Sequence, residues 1–198
     1  MKLSYSLIQY HLQKTNSHCF LNRQLGRKIP DNPAFELGRK IHQKIQSNLS
    51  NYIDLKGFVV ETKDFDENTH FEFEYKGYTI HGYLDGLNKE SGAMLEIKSG
   101  THFLSIGDFF RNPQIGIYAL AFPKFTKAIC ITALSDETQW QGQPPKVFEF
   151  ALTDGIKKNA ERFIDEAIEI LKEGKFQGGL TDGKCLGWCS YQNNCFFR

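Results

Sequence analysis

Two short apolar runs, His81-Gly-Tyr-Leu-Asp85 and Met94-Leu-Glu-Ile-Lys-Ser99, carry ionisable residues where a chain would ordinarily bury hydrocarbon. Alternate residues of a strand share a face. In the second run Met94, Glu96 and Lys98 therefore point one way and Ala93, Leu95 and Ile97 the other. That pattern puts a carboxylate and an ammonium side by side on a surface that is otherwise core. Asp85 closes the first run, three residues after Gly82. Burying such groups without a partner is costly, and a bound cation is one way to offset that cost. A Glu-x-Lys alone reads most simply as an ion pair on a half-exposed strand, so its surroundings must decide.

Those surroundings form an α/β pattern. A short helix is expected over residues 4–12, opening at Ser4. Asp31 or Asn32 can cap a helix with Pro33 in its first turn, running to about Ser50. Gly38, Ile41, His42, Ile45 and Leu49 recur at helical spacing and form its inner stripe, so His42 lies among apolar residues. Strands are expected at Phe58–Phe65, His70–Tyr75, Tyr78–Leu87 and Ala93–Ser99, with Lys76-Gly77 and Asn88–Gly92 as turns. This antiparallel meander would set Asp85 and Glu96 on adjacent strands. Gly100–Asp108 reads as a loop. Asn112-Pro113 starts a helix to about Phe122, on which Gln114 and Tyr118 share a face. Lys127–Leu134 is a buried strand in which Cys130, between two isoleucines, reads as packing. Ser135–Pro145 is a polar loop and Lys146–Leu152 a strand. Asp154 then opens an amphipathic helix to Glu173, with Ile156, Ala160, Phe163, Ile164, Ala167, Ile168 and Leu171 inward.

The 198 residues suffice for one domain with a real core, and neither an internal repeat nor a second domain is evident. No apolar run is long enough to span a bilayer, which excludes a helical membrane protein. The N-terminus lacks the continuous apolar stretch of a signal peptide, so a cytoplasmic, reducing setting is expected. There, five cysteines suggest metal ligation or free thiols more than disulfides. A net charge of +1 says nothing of a polyanionic partner, but its distribution is uneven. Residues 1–50 carry eight Lys or Arg against two acids, and residues 51–110 carry five against eleven. A basic segment beside an acidic one fits a polyanion bound next to a cation site, and fits a solvated surface equally well.

Taken in order, Gly38-x-x-x-His42, Gly82-x-x-Asp85, Glu96-Ile-Lys98 followed by Ser99-Gly100, and Gln114-x-x-x-Tyr118 resemble the motifs of the RecB-like branch of the PD-(D/E)XK nuclease superfamily. The resemblance implies a restriction-endonuclease-like core, a central mixed sheet flanked by helices. It also implies a divalent-metal-dependent deoxyribonuclease, an exonuclease acting on single-stranded DNA or DNA ends. The chemistry suits those residue types. A hard divalent cation can make a water nucleophilic and stabilise a negative transition state. Mg²⁺ takes oxygen ligands and keeps several waters. Asp85 and Glu96 would supply carboxylates, the Ile97 carbonyl a neutral oxygen, and His42 a nitrogen that accommodates Mn²⁺ more readily. Lys98 would orient or deprotonate the water, or hold the phosphate. Gln114 and Tyr118 are implied to position Lys98 and the DNA backbone. Arg111, Arg23, Arg27, Lys28, Arg39 and Lys40 are candidate phosphate contacts. A non-cleaving nucleic-acid-binding or adaptor subunit, or an endonuclease, would share the same fold.

The cysteines extend the resemblance. In the iron–sulfur members of this branch, among them the CRISPR-associated RecB-like exonucleases and their viral relatives, one cysteine precedes the nuclease core and three follow it. Here these are Cys19, Cys185, Cys189 and Cys195, which would bind a four-iron–four-sulfur cluster, with Zn²⁺ the alternative. Cys185 and Cys189 are separated by three residues where the family usually has two, and His18 is a conceivable substitute ligand. The centre would join N-terminal (about 1–30) and C-terminal (about 175–198) segments as a structural staple. Protein partners in DNA processing or CRISPR adaptation are implied with it.

Overall fold

The structure, a computed structural model, describes residues 1–9, 33–62 and 66–173. Among them the chain forms two sheets. Strand β1 (Lys2–Ser4) runs parallel to β4 (Tyr78–Tyr83), which pairs antiparallel with β3 (His70–Tyr75). The second sheet has the order β2 (Val59–Val60), β5 (Gly86–Asn88), β6 (Ala93–Gly100), β7 (Lys127–Leu134), β8 (Lys146–Ala151). It is mixed, because β6 and β7 are parallel while the other pairs are antiparallel. Helices α1 (Tyr5–Leu7), α2 (Pro33–Ser47), α3 (Ile106–Arg111), α4 (Pro113–Ala121) and α5 (Asp154–Glu173) complete the described fold.

The alternation in β6 divides the interior in two. Leu95 and Ile97 join Ile129, Ile131 and the Ile41, Ile45, Leu49 stripe of α2 in one cluster. Met94 and Cys130 join α4, α5 and the inner faces of β3 and β4 in the other. Gly116 lets α4 lie against α5: a Cβ there would come within 2.4 Å of the Ile156 carbonyl oxygen and 2.6 Å of the Ala160 methyl.

Several expectations need correction. The run read as one strand, Tyr78–Leu87, breaks after Tyr83; β4 ends in one sheet and β5 begins in the other. Asp85 sits in that crossing rather than within a meander. Of the strand read as Phe58–Phe65, residues 63–65 lie outside the described residues, and among the described ones pairing is at Val59 and Val60. The stretch read as a loop after Gly100 contains α3, opened by a capping box in which Ser105 and Asp108 satisfy each other's backbone amides. Ser4 does cap α1, but β1 precedes it. In Ser135–Pro145 a turn of 3-10 helix, Glu137–Gln141, tucks Trp140 against the α2 cluster. Residues beyond Gln9 in the first expected helix, and Cys19, His18, Arg23, Arg27, Lys28, Cys185, Cys189 and Cys195, lie outside the described residues.

Candidate active site

The break between the sheets allows the two layers to meet. His42 arrives on α2 from one side of the large sheet, while Glu96 and Lys98 stand on the other. Asp85, in the crossing segment, joins them. Its Oδ1 lies 3.3 Å from His42 Nε2, and its Oδ2 accepts the Ile97 backbone N–H at 2.5 Å. The backbone of Asp85 is fixed as well, since its carbonyl accepts the Glu61 N–H at 3.0 Å. That bond brings in a residue the sequence reading did not single out. Donor atoms of His42, Glu61 and Asp85 all lie within 4.8 Å of one another. The local signal was faint: an acid placed directly after the Val59-Val60 pair, where a short strand ends.

Glu96 is buried, only 1% exposed, and its Oε1 meets Lys98 Nζ at 2.5 Å. Its other oxygen, Oε2, has no hydrogen-bond partner among the described residues, and neither does His42 Nε2, whose approach to Asp85 is out of line for a hydrogen bond. Buried polar atoms are nearly always satisfied. Two orphaned donor atoms facing a carboxylate cluster are what a cation site looks like without its ion. The donor set of one imidazole nitrogen and carboxylate oxygens suits Mn²⁺, and Mg²⁺ with retained waters.

The protonation states follow from the packing. Burial pushes the Glu96 carboxyl above the usual range, Lys98 pulls it down, and Asp85 adds to the rise. Burial acts to lower Lys98, but the charges of Glu96 and Asp85 and the hydrogen bond to Glu96 together outweigh it and the net direction is upward, so the ammonium stays charged. His42 behaves alike: desolvation lowers it, and Asp85, with Glu96 and Glu61 further off, more than reverses this.

The second motif pair acts as a brace. Gln114 Nε2 donates to the Tyr118 hydroxyl at 2.5 Å, and that hydroxyl donates to the Tyr83 carbonyl at 3.0 Å. Tyr118 is 2% exposed and so is both core and hydrogen-bonded. Burial, then the charges of Glu96 and Asp85, hold its phenol well above the ordinary range. Gly82 has a steric reason, because the Phe71 ring would lie 2.9 Å from a Cβ at that position. Phe71 in turn packs edge-on against Tyr118, with centroids 5.5 Å apart. Gly38 has no such reason: an added Cβ would meet Ser99 Oγ at an ordinary 3.8 Å. Of the basic residues, Lys40 pairs with Glu36 at 2.9 Å and Arg111 with Asp108 at 3.0 Å, both on the surface; Arg39 is exposed on α2.

No protein-family model and no curated protein matches the chain. Solved structures do. The protein SSO0001 aligns with a TM-score of 0.53 at 17% identity, over 98% of this chain and 85% of that one. A candidate exonuclease from Eubacterium rectale aligns with a TM-score of 0.55 at 13% identity, over 88% of this chain and 82% of that one. The alkaline exonuclease LHK-Exo from Laribacter hongkongensis gives a TM-score of 0.45 at 15% identity, over 87% and 92%. At such identities the likeness is one of fold. The chain has a mixed α/β fold, central sheets flanked by helices, which it shares with SSO0001 and the Eubacterium rectale protein. No helix among the described residues is long and apolar enough to cross a membrane.

Proposed function

We propose that the chain is a divalent-metal-dependent DNA exonuclease of the RecB-like PD-(D/E)XK type, acting on single strands or DNA ends. The observation that carries this reading is the meeting of His42, Glu61 and Asp85 beside the Glu96–Lys98 pair, whose carboxylate is buried. The fold held in common with a candidate exonuclease agrees with it.

In this reading His42, Asp85 and Glu96, with the Ile97 carbonyl, hold the cation, and Glu61 is an added ligand or holds a ligating water. Such a cation would lower the pKa of a bound water and offset charge on the phosphate. Lys98, kept charged by Glu96, is fitted to stabilise negative charge on the phosphate rather than to accept a proton. Gln114 and Tyr118 fix the Tyr83 carbonyl and with it the path of the chain into Asp85. Cys19, Cys185, Cys189 and Cys195 would bind an iron–sulfur cluster, or Zn²⁺, that joins both ends to a single nuclease domain. Metal analysis after anaerobic purification separates iron from zinc.

Labelled single-stranded DNA incubated with the protein and Mn²⁺ or Mg²⁺ is expected to lose nucleotides from one end. Lys98→Ala is expected to slow this by about 10²–10³-fold. A wild-type protein that does not cut, or a variant that cuts as fast, rejects the reading. Cleavage of closed circular DNA would make the protein an endonuclease instead.

A further inference from the structure

Glu61 has little sheet to hold it. Among the described residues β2 pairs at Val59 and Val60, and the strand ends there. Two groups from other segments take over. The Glu61 N–H donates to the Asp85 carbonyl at 3.0 Å. The next amide, that of Thr62, donates to Asp66 Oδ2 at 3.1 Å, and the Thr62 hydroxyl donates to the same oxygen at 2.7 Å. The peptide planes on both sides of the Glu61 Cα are therefore pinned. Because each peptide is planar, this sets φ and ψ at Glu61 and the direction in which its side chain leaves the backbone.

Asp66 is only 2% exposed, and both of its oxygens are engaged. Oδ1 accepts the Asn68 N–H at 3.0 Å and the Asn68 side-chain amide at 2.8 Å. The Thr62 hydroxyl, then the backbone amides of Asn68 and Thr62, hold the carboxyl well below the usual range, so it is ionised and only accepts. The turn into β3 uses Oδ1, as turns commonly use an aspartate. It has no need of Oδ2, which reaches back to the residue after Glu61. The same turn also touches the segment that carries Asp85. The Asp66 carbonyl accepts the Thr69 N–H at 3.0 Å and the Thr69 hydroxyl at 3.2 Å, and the Thr69 carbonyl accepts the Leu84 N–H at 3.1 Å.

We infer that Asp66 is a positioning residue of the cation site: through Thr62 it aims the Glu61 carboxylate at the ion shared with His42 and Asp85. The inference rests on the cation site of the nuclease reading and adds the group that orients one of its ligands. Four donors on two oxygens account for the residue type. An asparagine there would turn its NH₂ toward Thr62 or Asn68, donor against donor. A residue serving the turn alone would change stability on replacement and leave ion binding as it was. A residue that aims a ligand affects the ion only while that ligand is present.

Calorimetric titration of the metal-free protein with Mn²⁺ reads this without cleavage. Asp66→Asn is expected to weaken binding about 10- to 100-fold, as loss of a group that orients a ligand commonly does. Thr62→Val, which removes the hydroxyl and keeps the branched shape, should weaken it in the same sense, while Thr62→Ser should bind as the wild type does. In a Glu61→Gln background Thr62→Val should weaken binding by no more than about 2-fold further, because the two changes break one link. Thr62 is exposed, so its variants decide the matter even if Asp66→Asn does not fold. A Thr62→Val that binds Mn²⁺ as tightly as the wild type, or that loses as much with Glu61→Gln as without it, overturns the inference alone. A wild type that binds no Mn²⁺ overturns the cation site and the inference with it. A wild type that binds Mn²⁺ with the expected coupling but cuts no DNA upholds the inference and overturns the nuclease reading.

Discussion

The eight residues of β6 divide alternately between two faces built to opposite ends. On the α2 side, Leu95 and Ile97 sit in a cluster of aliphatic side chains from α2 and β7. On the α4 side, the buried Glu96 pairs with the partly exposed Lys98, and one carboxylate oxygen goes without a partner among the described residues. A strand selected for stability alone would make both faces alike, since replacing a buried ion pair by well-packed apolar residues is often neutral or stabilising. The proposed function accounts for the difference: on that reading the α4 face is kept for chemistry at some expense to the fold.

The comparison breaks most sharply at the ion pair itself. Glu96→Leu combined with Lys98→Met removes both charges and keeps the volume. Cleavage is expected to fall by at least about 10³-fold, while stability stays level or rises by up to about 4 kcal/mol. Nuclease assays and urea denaturation read the two quantities separately. A double variant several kcal/mol less stable would make the pair a structural feature, and the contrast between the faces would fail. The opposite face should answer in the opposite sense. Leu95→Ala, at a site with no exposure, is expected to cost about 2–5 kcal/mol in denaturation while leaving kcat of the folded protein within a few fold. A loss of kcat as large as that from the ion pair would show that the faces are not separable.

How far the sequence reading reached depends on how local each signal is. The helix Asp154–Glu173 and the strands His70–Tyr75 and Lys127–Leu134 were legible in the sequence, because the helix and the first strand each carry one uninterrupted apolar period and the second strand is a continuous apolar run. Crossing between sheets left no mark: the alternation of His81, Tyr83 and Asp85 continues through the break after Tyr83, and only pairing with different partners divides β4 from β5. Glu61 escaped for a related reason. Its partners His42 and Asp85 are 19 and 24 positions away, and nothing near Glu61 in the chain refers to them. Helix α3 was readable in principle, since Ser105 and Asp108 form a capping box, but Gly107 in its first turn hid the helical pattern. His42, Asp85, Glu96, Lys98, Gln114 and Tyr118 were singled out because their order along the chain is itself the signal; the structure sets His42 beside Asp85, Lys98 against Glu96, and Gln114 against Tyr118, whose hydroxyl reaches the Tyr83 carbonyl.

The smallest expected effect separates the proton from the cation. His42 is held above its ordinary value of 6.5 by Asp85, against the opposing effect of burial. A group whose folded pKa is raised stabilises the fold fully below its unfolded value, and that contribution is lost as pH rises through the folded value. Metal-free protein should therefore lose a little thermal stability as the pH climbs from about 6 upward. The raised Glu96 works in the same direction, so only the difference between the wild type and His42→Gln, which cannot take up the proton, isolates the imidazole. The scan should stay above about pH 5, because Asp66 and Asp108, both depressed by hydrogen bonds from neighbouring hydroxyl and backbone groups, lose their own contributions on acidification. Mn²⁺ must displace the His42 proton, so its affinity, measured by calorimetry, should rise over the same window in which the metal-free protein softens. In His42→Gln both slopes should become shallower together, the part due to Glu96 remaining. A Mn²⁺ affinity that ignores pH, or one whose pH dependence is unchanged in His42→Gln, would remove His42 from the ligand set and leave the cation to Glu61, Asp85 and Glu96.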